Sequence, residues 1–382
     1  MMRVPQDPVQ LTRALVAIDS RNPDVDSAGP GEAAVAVHLA DVLRGWGFRV
    51  ELVDVAPQRP NVIARIGKAG GRSLMFNGHL DVVGVAGMNH APFDAESRDG
   101  KMYGRGSADM KGGIAAMCVA AARAGPELDG EVIIAAVCDE EYASLGTRNL
   151  VARRIRADAA IVTEPTRLAI MPAHRGFAWI EVTVHGVAAH GSRWELGVDA
   201  IRHAGLLLAE LDALEENVLP LRTHPLLGRG SVHASLIEGG TGISTYPDRC
   251  VLKIERRLLP GEDGDRAMEE VRLACARVAA RRPSFRADIS LMLAQPASDV
   301  HPDAPVVRAL SRALKDVGEP VRIEGMSAWT DAALLNAAGI PAICFGPGDI
   351  ALAHAAEEWI EENEIRRATD VLERMIRNWG RE

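Results

Sequence analysis

Three apolar segments in the first half of the chain each run straight into side chains that bind protons or metals, with helical material between them. They are Ser73-Leu-Met-Phe-Asn-Gly-His-Leu-Asp81, the segment 132–137 followed by Cys138-Asp139-Glu140-Glu141, and the segment 159–162 followed by Thr163-Glu164-Pro165. Short apolar runs closed by polar residues fit strands buried in a sheet. Their alternation with helices predicts an α/β fold with helices on the faces of the sheet. Ligands in such sheets bind beyond the carboxyl ends of the strands, and the polar residues fall at those ends.

The same pattern extends on either side. Segment 9–18 is amphipathic, and 31–46 reads as a helix with Val35, Leu39, Val42 and Leu43 on one side and Gly47 as its stop. Segments 48–55 and 61–66 read as strands, and 113–124 as a helix of small residues. Near His174 the texture changes. Segment 177–185 alternates as a half-exposed strand does. It is followed by a helix (198–217), strands (231–238 and 249–258), a helix (267–281) and a strand (285–293). That series predicts a ferredoxin-like α+β unit with an antiparallel sheet. After Pro296 the α/β pattern resumes, with helices near 304–317 and 330–338 and a strand at 341–345. The expected organisation is a catalytic domain made of residues 1–174 and 294–382, with residues 175–293 inserted into it.

Bulk properties narrow the function. The 382 residues suit two domains, and 47% hydrophobic content supplies a large core. A formal net charge of -9 argues against nucleic acid as a partner. Arg153, Arg154 and Arg156 read as a solvated helix face. The five cysteines, Cys118, Cys138, Cys250, Cys275 and Cys344, are odd in number and fit no zinc-knuckle spacing, so buried reduced thiols are expected. A reducing, cytoplasmic setting follows. Residues 1–8 have no apolar core of a signal peptide, and no apolar run reaches bilayer length.

Five signals carry chemistry. In a strand, His79 and Asp81 point to the same side, so Asp81 can hold one ring nitrogen of His79 and leave the other for a metal; a plain polar strand end fits the pair too. Asp109 lies in Gly104-Arg-Gly-Ser-Ala-Asp-Met-Lys-Gly-Gly113, where glycines permit tight geometry and a carboxylate at a loop-to-helix junction can bridge two cations. Walker spacing is absent, which disfavours a phosphate loop. Asp139, Glu140 and Glu141 repel one another unless a cation is near, and adjacent residues point in different directions. Glu164 and His354 are unremarkable singly. Together the set offers nitrogen and oxygen ligands without sulfur, which suits catalytic zinc, with cobalt or manganese as alternatives.

The chain resembles the di-zinc metallopeptidases that include acetylornithine deacetylase, succinyl-diaminopimelate desuccinylase, aminoacylase and carboxypeptidase G. The resemblance runs through Asn22-Pro23, Pro60-Asn61-Val62, His79-Leu80-Asp81, residues 104–113, Asp139-Glu140-Glu141, Thr163-Glu164-Pro165 and Ala189-His190. It continues through Pro247-Asp248, Arg257-Leu-Leu-Pro-Gly-Glu262, Thr330-Asp331, Phe345-Gly-Pro-Gly348 and His354. It implies that His79 and Glu164 hold one zinc, that Glu141 and His354 hold the other, and that Asp109 bridges them. Asp81 would orient His79, and Glu140 would be the general base. His190 would reach the scissile carbonyl across a homodimer formed through the inserted domain, and Arg257 would bind the substrate carboxylate. Two departures stand out. Ala355-Ala356-Glu357-Glu358 follows His354 where relatives often carry an Asp-Glu pair, and Arg193-Trp194-Glu195 lacks a proline common after the histidine.

The activity this implies is metal-assisted hydrolysis of the amide of an N-acyl amino acid. A dipeptidase or carboxypeptidase is the alternative within the family. A non-catalytic small-molecule carrier and a metal-free oligomerisation module are the alternatives outside it.

Overall fold

The computed structural model describes residues 6–68 and 70–379. Residues 1–5, part of the stretch read as lacking a signal peptide, lie outside the described residues. The chain divides into two compact units, one made of the segments up to Pro172 and from Val300, the other of Ala173–Asp299.

The first unit is built on a mixed sheet. At its centre Gly130–Val137, Arg72–His79, Ala159–Val162 and Ala342–Cys344 lie side by side in parallel. Arg49–Ala56 and Arg59–Gly67 flank one side antiparallel, and Ile170–His174 flanks the other. The class is therefore α/β with a mostly parallel centre, as the strand-then-acid pattern predicts. The unbroken apolar runs have a simple cause. Val132, Ile134 and Ala136 enter one core, while Ile133, Ala135 and Val137 enter the core on the opposite face. Leu74 and Phe76 divide from Met75 in the same way.

Helices cover both faces. Pro8–Val16, Ala33–Gly45, Gly112–Ala124, Pro305–Asp316 and Glu362–Trp379 close the larger core. Gly112–Ala124 lies between the sheet and other helices and is apolar nearly all round, as a fully buried helix must be. Its second residue is glycine because a Cβ there would sit 2.0 Å from the Thr163 carbonyl oxygen. Among the described residues, no helix is long and apolar enough to cross a membrane.

The second unit follows the order strand, helix, strand, strand, helix, strand. Its antiparallel sheet runs Ser231–Gly239, Arg249–Leu258, Gly176–His185, Arg286–Gln295. Helices Ala200–Asn217 and Gly264–Arg281 pack on one face, against Ala178, Ile180, Val182 and Val184. Each begins with an aspartate, Asp199 or Asp263, whose side chain accepts a main-chain N–H of the first turn. Trp179, Glu181 and His185 alternate to the other face, which produces the half-exposed pattern seen in the sequence.

Candidate active site

Parallel strands end on one edge, so the residues that follow them meet there. His79 closes its strand opposite Val137, and Asn77 stands opposite Val162. Glu140, Glu141 and Glu164 therefore emerge beside His79. Asp109 arrives from the turn Ser107–Lys111, which leads into the buried helix. Gly106, just before it, takes a left-handed φ of 80° that a side chain would strain.

The distances are short. His79 Nε2 is 3.0 Å from Asp109 Oδ1 and 4.0 Å from Glu164 Oε1. His354 Nε2 is 2.9 Å from Glu141 Oε2 and 3.7 Å from Asp109 Oδ2. The two oxygens of Asp109 thus face two different histidines. Ligand atoms of His79, Asp109 and Glu141 all lie within 4.8 Å of one another. Asp109, Glu140, Glu141, Glu164 and His354 line a cavity of about 260 Å³ together with Ala328, Trp329, Ile350 and Ala353.

Without cations this cluster is electrostatically frustrated. Burial pushes the carboxyls of Glu140, Glu141 and Glu164 above their ordinary range, and the neighbouring acids add to the shift. Burial opposes a charge on His79, yet the Asp109 hydrogen bond and the charges of Asp109, Glu140 and Glu164 outweigh it and hold the ring well above the usual histidine value. Glu141 Oε1 is buried without a hydrogen-bond partner. Paired nitrogen and oxygen donors, an excess of buried negative charge and an orphaned carboxylate oxygen all fit divalent cations.

Asp81 behaves differently from the expectation. His79 Nδ1 bonds the main-chain oxygen of Asp81 at 2.9 Å, while the carboxylate oxygen Oδ1 of Asp81 is 3.8 Å away. That carboxylate instead accepts the N–H of Glu140 (3.1 Å), the N–H of Glu141 (3.2 Å) and the side-chain amide of Asn22 (2.8 Å). The residue holds the ring through its backbone and the Glu140–Glu141 turn through its side chain.

Several residues of this support have no assigned role at the level of sequence. Asp139 turns the chain at φ 66° and is held by Asn22 at 3.1 Å and Arg59 at 2.9 Å. Arg59 is buried and pairs with Glu32 and Asp24 as well. Asp331 is buried, receives the Thr147 hydroxyl at 2.6 Å, and is raised to about 6, chiefly by burial. Asn22-Pro23 and Pro60-Asn61 are visible as motifs, but nothing in them says that Asn22 and Arg59 converge on Asp139.

His190 and Arg257 belong to the second unit. His190 is exposed, and its Nδ1 lies 2.8 Å from the Ser192 hydroxyl. Arg257 pairs with Glu255 at 3.0 Å, and its guanidinium lies 5.7 Å from the Phe177 ring centroid.

Residues 75–378 match the model of peptidase family M20/M25/M40. The chain is 29% identical to the N-formyl-4-amino-5-aminomethyl-2-methylpyrimidine deformylase of Bacillus subtilis (strain 168), over 97% of this chain and 94% of that protein. It is 31% identical to the acetylornithine deacetylase of Myxococcus xanthus, over 87% of this chain and 89% of that one. In fold it is similar to the YXEP protein of Bacillus subtilis, a dinuclear metal-binding peptidase of family M20, with a TM-score of 0.71, 17% identity and 98% of each chain covered. The chain belongs to peptidase family M20/M25/M40 and is a hydrolase of amide bonds.

Proposed function

We propose that the protein is a two-zinc hydrolase that removes a short acyl group from the amide nitrogen of an N-acyl amino acid. The observation that carries this is the convergence of Asp109, Glu141, Glu164 and His354 on one cavity that Glu140 also lines, with His79 Nε2 behind them at 3.0 Å from Asp109 and 4.0 Å from Glu164. His79 and Glu164 would hold one cation, Glu141 and His354 the other, and Asp109 both. Bound zinc, or cobalt or manganese in its place, would acidify a water and polarise the scissile carbonyl. Glu140 would be the general base and acid, accepting a proton from the attacking water and delivering it to the leaving amine. Asp81 keeps Glu140 in place through its amide. His190 would steady the developing oxyanion from a second copy of the chain, and Arg257 would bind the substrate carboxylate.

A second reading is release of formate from an N-formyl aminopyrimidine. The relative with that activity aligns along 97% of this chain, and Trp329 offers the cavity an aromatic surface. A homodimer in a reducing cytoplasm completes the proposal; five buried free thiols support the compartment.

The test is a hydrolysis screen with added zinc or cobalt across acetylornithine, succinyl-diaminopimelate, other N-acyl amino acids, dipeptides and an N-formyl aminopyrimidine. Glu140→Gln accompanies it: metal content should stay and turnover should fall at least 100-fold, in the range typical of general-base loss. Turnover like that of the wild type in this variant would remove Glu140 from its role.

A further inference from the structure

Glu358 is fully buried in the first unit, although it follows an exposed loop. A buried carboxylate needs strong partners. Its Oε1 accepts the N–H of Ala108 at 3.0 Å and of Asp109 at 3.2 Å. Its Oε2 accepts the N–H of Gly106 at 3.0 Å and pairs with Arg105 Nη1 at 2.7 Å. Four donors between residues 105 and 109 converge on this one group.

Both ends of the clasp are anchored. Gly104 donates its N–H to the Glu358 carbonyl at 3.2 Å, and the strand Trp359–Glu361 pairs with Lys101–Tyr103. Ile360 packs with Val9, Val16, Met102 and Ile365. Arg105 is buried and donates from Nε to the Gly84 carbonyl at 3.1 Å. A carboxylate fixed in this way sets the main chain of the turn, and with it the direction of the Asp109 side chain.

We propose that Glu358, clasped with Arg105, is a positioning residue for Asp109, holding its two carboxylate oxygens toward His79 and His354 so that it can be shared by two cations. The inference rests on the two-metal reading of the site. It also explains the segment after His354, because the loop that supplies one histidine ends in the group that sets the shared carboxylate. Gln at this position keeps the shape but offers one acceptor oxygen where four donors point, and its own amide would face an N–H or the guanidinium.

The test is zinc titration of the metal-stripped full-length protein against a chromophoric chelator, with kcat and KM measured on the best substrate of the screen. The wild type should take two equivalents. Glu358→Gln should bind at least one equivalent about 10–100-fold more weakly, the scale on which residues outside the ligand set act, with kcat falling by a similar factor and KM moving less. Because that variant leaves the buried Arg105 without a counter-charge, the double variant Arg105→Met, Glu358→Gln is measured beside it. It should recover thermal stability without recovering zinc affinity, a separation that a purely structural role would not produce. Full zinc affinity in either variant, folded by near-ultraviolet circular dichroism, overturns the clasp alone. A wild type that binds no metal overturns the two-metal reading and the clasp with it.

Discussion

Asp81 meets Glu140 through the main chain: its Oδ1 accepts the Glu140 N–H at 3.1 Å, across 59 residues of sequence. Its other oxygen takes the N–H of Glu141 and the side-chain amide of Asn22. One buried carboxylate thereby fixes two adjacent acids that line the same cavity. Adjacent acids repel, and a turn that presents them has to be held by donors from elsewhere.

Asn22 is the side chain that ties this carboxylate to Asp139. Asn22→Ala removes both bonds while deleting little volume. The expected result is a folded protein whose kcat falls about 10–100-fold, with KM moving less, as seen when groups behind metal ligands are removed. Steady-state kinetics with parallel zinc analysis decides it; an unchanged kcat would show that the two amides hold Asp81 unaided.

Arg256 and Arg257 are neighbours with opposite fates. Arg256 is buried between Glu262 and Glu270, whereas Arg257 lies on the other face of the strand beside Glu255. Arg256→Ala removes the buried partner of both acids and leaves them to Arg222 and Arg266, so it should cost about 1.5–3 kcal/mol in denaturant unfolding. Arg257→Ala should cost about 1 kcal/mol or less and should raise KM for substrates with a free carboxylate. An equal rise for an ester lacking that carboxylate would count against its role.

Lys111 is a buried amine, with Nζ donating to the Ile18 carbonyl at 2.9 Å. Burial brings its pKa down to about 7, against about 10.4 in an unfolded chain. Between those values the unfolded chain carries a proton that the folded chain lacks. This group therefore adds stability as pH rises from about 7 toward 10, by at most about 1.4 kcal/mol per unit, and that contribution is gone below pH 7. Lys111→Met should flatten the slope. Urea unfolding at pH 7, 8 and 9 measures it, and a difference between the two proteins that stays constant with pH would refute the assignment.

Removing metal should destabilise the first unit, because Asp109, Glu140, Glu141 and Glu164 then face one another with only His79 and His354 to offset them. Zinc at 1,000 times its Kd should restore about 4 kcal/mol. Calorimetry before and after complete chelation tests this; an unmoved Tm would mean that the cluster does not depend on cations for its stability.

Much of the fold was legible because a sheet buried on both faces writes itself as unbroken apolar runs. The strand expected at 159–162 is Ala159–Val162, and the run 132–137 lies within Gly130–Val137. The acids that follow them were legible for the same reason, since a polar residue at the end of a buried strand has to go somewhere useful. The support around them was harder to see. Local periodicity does not report that Asn22 meets Asp81, or that Glu358 reaches back to Gly106, because each bond joins segments whose own patterns are complete without it.

By itself the sequence determined the α/β class and the identity of the acids and histidines, since both follow from which residues stand next to which. Tertiary structure decided which partner each took. Asp81 turned its backbone to His79 and its carboxylate to Glu140 and Glu141, and Arg256 went inward while Arg257 did not. The reason is that hydrogen bonds and ion pairs form over about 3 Å, and only the folded chain brings groups separated by tens or hundreds of residues that close.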